Sequence, residues 1–138
     1  MFSASFGELI PMDEVERKSV VEAYLKAFKE RHLEECLSYF EEDAELHFGP
    51  ATLGLGRFRG KGNIEKWHRD RFEAGAQIVK VEGMQAKGDQ VRVNGVISSP
   101  RLKAVRIADL RGWGNFVFLQ GKFKELRLGL RTGYRFHI

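Results

Sequence analysis

The sequence predicts an α+β domain, with helices packed on one face of a curved, mostly antiparallel sheet. Three observations predict it. Apolar residues recur at the helical period in the N-terminal half, the chain after residue 76 reads as alternating strands, and glycine-containing turns separate those strands. Helices segregated from strands argue for α+β rather than for a parallel sheet with helical crossovers.

Residues 1–12 read as a flexible leader ended by Pro11, and residues 13–138 as a single domain. Asp13 and Glu16 have the spacing of a capping box, with Asp in place of Ser or Thr. Val20, Val21, Tyr24, Leu25 and Phe28 then predict an amphipathic helix over 14–31. A short helical turn follows in HLEECLSYF, presenting Leu33, Cys36, Leu37 and Phe40 on one side. AELHF at 44–48 alternates as a strand, and the glycine-rich GPATLGLGRFRGKG reads as a loop with room for a short irregular strand. NIEKWHRDRFEAG predicts a third helix with Ile64, Trp67, His68, Arg71 and Phe72 on one face and Gly75 as its stop. Beyond it, QIVKVEGMQA and VRVNGVIS flank a KGD turn, and Ser99-Pro100 reverses the chain into RLKAVRIADL, read as strand. The two glycines of RGWGN predict a bulge or sharp bend, and NFVFL and FKELRLGL form a last hairpin about Gly121-Lys122.

Composition narrows the function. Eleven Phe among 138 residues imply a large core or a ring-lined cavity. The net charge of +4 raises the question of an acidic partner. In RLKAVRIADLR and KFKELRLGLRTGYR, however, the cations alternate with apolar residues, as on the wet faces of strands. No nucleic-acid reader motif accompanies the charge, so nucleic acid is not an expected partner. Cys36 is the single cysteine, the N-terminus lacks the pattern of a signal peptide, and no run is apolar enough to span a membrane. A cytoplasmic protein without a membrane partner is the expectation.

Several motifs fail on inspection. GLGRFRG has Arg59 where a dinucleotide fingerprint needs its third glycine, and GRFRGKG does not keep the spacing of a P-loop. His32 and Cys36 are two ligands without a third, so no metal site is expected. There is no G-x-S-x-G elbow. No cofactor is implied.

Taken in order, VVEAYLKAFKERHLEECLSYFEEDAELHFGP, GRFRGKGNIEKW and NFVFLQGKFKELRL resemble the first helices and strand, the third-helix entry and the final hairpin of nuclear transport factor 2-like domains. The resemblance spans residues 14–130 and implies a cone-shaped, strongly curved sheet wrapped around three helices of the N-terminal half. It also implies a homodimer and an open cone that admits a small apolar molecule. The family includes ketosteroid isomerases, scytalone dehydratases, limonene-epoxide hydrolases, SnoaL-like polyketide cyclases and plain binding modules, and fold alone does not choose among them.

The resemblance to ketosteroid isomerase runs without a gap from Tyr24 through Asp43 and puts Tyr24 at that enzyme's oxyanion-stabilising tyrosine. A buried phenol there would donate to a developing enolate. The alternative is a core tyrosine bonded to a neighbour. The isomerase's general base falls on Phe48 and its protonated aspartate near Gly114 or Asn115, so that reaction lacks its base. Asp109, an acid in a basic strand, and His68, beside Trp67, are the other candidate catalytic groups; an outward ion pair and a helix-surface position are their alternatives. Phe28, Phe48, Trp67, Arg71, Phe72, Asn115, Phe116 and Phe118 are the candidate pocket. Glu45 and His47 alternate away from it. The functional expectation is a SnoaL-like small-molecule-binding domain, open to cofactor-free isomerase, cyclase, dehydratase or hydrolase chemistry. A noncatalytic dimerisation or protein-interaction domain is the alternative.

Overall fold

Helix α1, Glu14–Lys29, begins at the capping box anticipated from sequence. The Asp13 carboxylate accepts from the Glu16 amide at 2.8 Å, and Glu16 returns the bond to the Asp13 amide at 3.3 Å. The computed structural model describes residues 12–48 and 56–136. The expected leader therefore lies outside the described residues, apart from Met12, and so does the first half of the glycine-rich loop, residues 49–55. Val21, Tyr24, Ala27 and Phe28 make the buried stripe of α1. Arg31 closes the helix in the left-handed region, φ 59°, while the His32 amide reaches back to the Ala27 carbonyl.

Helix α2, Leu33–Ser38, buries Cys36 and runs directly into strand β1, Phe40–Phe48. The strand begins four residues earlier than the alternation of AELHF predicted. A register shift between Phe40 and Glu45 absorbs the acidic Glu41, Glu42 and Asp43, which break the period. Burial pushes the Cys36 thiol up to about 12, beside Glu35, so it stays protonated. Strand β2, Arg57–Arg59, is the short irregular strand allowed for in the loop, and Gly60, φ 85°, turns the chain into α3, Lys61–Glu73. Gly75, φ 73°, ends α3 as predicted, with the Ala76 amide bonded to the Arg71 carbonyl at 3.0 Å.

Strands β3, Gln77–Lys87, and β4, Gln90–Ser98, form the expected hairpin. Its turn is anchored to α1: the Gly88 amide donates to Glu14 and the Gly88 carbonyl accepts from Arg17. Strands β5, Ile107–Leu119, and β6, Lys122–Phe136, complete an antiparallel meander. The last turn is centred on Gln120 and Gly121, both with positive φ, rather than on Gly121-Lys122.

A further expectation is corrected. RLKAV is not strand but the short helix α4, Pro100–Ala104. Ser99 caps it by accepting from the Leu102 amide at 3.3 Å, and Pro100 takes the first turn, where its missing N–H costs nothing.

The strand order is β2-β1-β6-β5-β4-β3, antiparallel except for β1 beside β6. Register shifts in β3–β4 and β5–β6 curve the sheet around the helices. Within that curve lies an aromatic core centred on Tyr24, with Phe40, Phe116 and Phe123 at ring-centroid distances of 5.5–5.7 Å, all steeply tilted.

Candidate functional site

The inner face of the meander contains a gap that its register explains. Across β4 and β5 the inward pairs are Val91–Phe116, Val93–Gly114, Gly95–Gly112 and Ile97–Leu110. Gly95, Gly112 and Gly114 thus leave this stretch of β4 and β5 without side chains, and all three line the space beside it. RGWGN, read from sequence as a bulge or sharp bend, does carry a register shift between Leu110 and Gly112, and its glycines also leave the sheet's inner surface without side chains. The result is a cavity of about 330 Å³, with α4 forming part of its wall.

Of the residues singled out from sequence, Tyr24, Phe28, Phe48, Trp67, Arg71 and Phe116 line this cavity. His68, Phe72, Asp109, Asn115 and Phe118 do not. Phe118 is core, packed on Phe123 at 5.1 Å. Phe72 stacks on Phe28 beneath Arg31. Asn115 lies on the outer face of β5, where it donates to Gln90, and Asp109 stands opposite Arg135 of β6 in the register. Glu45 and His47 also stay outside, hydrogen-bonded to each other at 3.1 Å. Sequence reading missed Ser99, Arg101 and Leu102 as lining residues. The Ser-Pro pair that caps α4 was their available signal.

His68 is fully buried behind Tyr24, with Nε2 2.7 Å from the phenol oxygen and Nδ1 2.8 Å from the Ile64 carbonyl oxygen. A carbonyl can only accept, so Nδ1 carries a proton. Burial lowers the imidazole's affinity for a second proton, so Nε2 is bare and the Tyr24 hydroxyl donates to it. Burial likewise raises the Tyr24 pKa well above its ordinary value, keeping the phenol intact. Tyr24 can therefore offer the cavity lone pairs but not its proton, which is committed to His68.

The remaining polar groups sit toward α3 and α4. Arg71 donates to Asp70, and this bond, with the charge of Arg71 and the weaker field of Arg101, holds the Asp70 carboxyl below its usual range. No Asp, Glu or His is among the described residues that line the cavity. Nor do any three His, Cys, Asp or Glu among the described residues gather as metal ligands would. No described helix is long and apolar enough to cross a membrane.

No protein-family model matches the chain, and no curated protein matches it. Solved structures do. A protein from Kribbella flavida DSM 17836, assigned provisionally as a ketosteroid isomerase, superposes with a TM-score of 0.73 at 15% identity, over 89% of this chain and 83% of that one. An NTF2-like protein from Burkholderia xenovorans LB400 gives 0.68 at 18% identity, over 88% and 94%. A de novo designed protein with a curved β-sheet gives 0.69 at 21%, over 88% and 89%. The chain thus has the nuclear transport factor 2-like fold, an α+β cone. A designed protein at a comparable score illustrates why the likeness extends to fold and no further.

Proposed function

We propose that this chain binds a small, largely apolar molecule inside the cone. The observation that carries the reading is the cavity itself. Its volume of about 330 Å³ falls within the range of about 300–1,000 Å³ for small-molecule sites. It remains open beside eleven Phe because glycines 95, 112 and 114 withhold side chains from it. A cone meant only as an interaction module would gain stability by filling that space.

The geometry favours binding over turnover. Enolate stabilisation needs a donor, and the Tyr24 proton is engaged by His68. A relay, in which Tyr24 takes a ligand proton while passing its own to His68, would charge an imidazole that burial keeps neutral. Tyr24 serves this reading better as an acceptor for a ligand hydroxyl. We include in the proposal that the domain is a homodimer, joined through the outer face of its sheet.

The test is calorimetric titration with 1-decanol of the natural chain and of Gly114→Val. A Cβ at Gly114 already lies 3.2 Å from Leu128 Cδ2 and 3.5 Å from Phe116 Cε1, so valine pushes into the cavity. Binding that is lost in the variant supports the reading; absence of binding, or equal binding by both, sinks it.

A further inference from the structure

Two hydrogen-bond donors at the α3 side of the cavity have nothing among the described residues to donate to. Trp67 Nε1 and Arg71 Nε are both buried and unpartnered, and both side chains line the cavity. They lie four residues apart on α3, and hence on one face of the helix. Both pack on Phe48, whose ring centroid is 6.4 Å from that of Trp67 and 5.9 Å from the Arg71 guanidinium carbon. Trp67 is only 8% exposed, and with its residue on the cavity wall the missing acceptor has to come from what the cavity holds. Buried donors are rarely left unpaired in folded proteins, and those that are call for a water, an ion or a ligand to complete them.

The charge around the pair gives the acceptor a sign. Arg71 and Arg101 both line the cavity and, among the described residues, no acidic side chain does; Asp70, which pairs with another nitrogen of the Arg71 guanidinium, is exposed outside it. The opposite wall, made by Val93, Ile97, Leu110 and Leu128, is apolar. A carboxylate has two acceptor oxygens for two N–H groups, and its charge is met by the guanidinium. We propose that the cavity's ligand is an apolar monocarboxylic acid, bound as its anion with the carboxylate on Trp67 Nε1 and Arg71 Nε and the hydrocarbon body against the glycine-floored sheet. This rests on the cavity being a binding site and adds the chemical class of what it binds.

The experiment titrates the full chain at pH 7.5 with decanoate and separately with 1-decanol, which shares the body but not the charge. Decanoate should bind at least about tenfold more tightly. Trp67→Phe and Arg71→Met should each weaken decanoate by about tenfold more than they change decanol, so that the ratio of the two affinities, and with it the discrimination, collapses. Thermal melting checks that each variant folds. Arg71→Lys, which keeps a charge but loses the Nε–H, should also lose the preference and serves if the methionine variant fails to fold. Decanol binding as tightly as decanoate would overturn the carboxylate assignment while leaving the cavity reading intact. Decanoate binding undiminished in both variants would place the head group elsewhere and overturn it too. Failure of both probes to bind the natural chain would bring down the cavity reading and this one together.

Discussion

The hydroxyl of Tyr24 and the imidazole of His68 complete each other across 2.7 Å, on elements 44 residues apart, at the centre of the aromatic core. Helix α1 supplies the donor and α3 the acceptor, so this one bond fixes how the two helices sit inside the sheet.

Tyr24→Phe removes the donor and leaves His68 Nε2 buried without one. The loss of stability should be about 1–3 kcal/mol, the cost of an unsatisfied buried group. His68→Phe strands the phenol proton in the same way. The double variant should lose less than the sum of the two, because neither polar group is then left behind. Urea denaturation of the four proteins gives the coupling; additive losses would mean that the bond does not form.

The same histidine sets a pH dependence. Its folded-state pKa is lowered by burial from the ordinary 6.5, so the unfolded chain takes up a proton more readily than the native one. The contribution is complete above about pH 6.5 and is lost as pH falls toward and through the depressed folded value. Between pH 7.5 and 5, unfolding free energy should fall for the natural chain and fall less steeply for His68→Phe. Parallel slopes would remove His68 as the titrating group.

On the outer face, Trp113 lies across Gly129 with the Arg92 guanidinium 4.2 Å from its ring centroid. A Cβ at Gly129 would stand 2.4 Å from the indole, closer than real Cβ contacts allow. Gly129→Ala must therefore displace the ring, at a cost of about 1–3 kcal/mol. Adding Trp113→Ala should recover part of that loss. Denaturation midpoints of the single and double variants decide it, and an alanine tolerated without loss would show that the ring is free to move.

The proposed homodimer should persist well below about 100 μM, as a standard-sized interface does. Sedimentation showing monomer alone at that concentration would dispose of it.

Much of this fold was legible because the signals were local. The capping box at Asp13 and Glu16, the stripe through Tyr24 and Phe28, and Gly75 each act within a few residues of themselves. What stayed hidden depends on contacts between distant segments. Ser99-Pro100 suits a reversal as well as a helix start, and only packing against β5 decides between them. The glycines of RGWGN signal a bulge or bend, and a register shift is there, but only the pairing of Gly112 with Gly95 and Gly114 with Val93 puts them on the cavity side. Periodicity put His68 on the correct face of α3, but its partners come from α1 and from its own helix's carbonyl. The unpartnered donors of Trp67 and Arg71 were invisible for the same reason.

Helix α4 has a consequence for how such a protein diversifies. It contributes Arg101 and Leu102 to the cavity wall yet belongs to no strand ladder, and it starts at Ser99, whose hydroxyl accepts the capping bond from the Leu102 amide. Exchanging those two side chains alters what the chamber accepts without breaking one inter-strand bond. Under the proposed function, ligand preference would drift at this threshold faster than the scaffold does, and descendants of one ancestor would share every strand while differing in what the chamber binds.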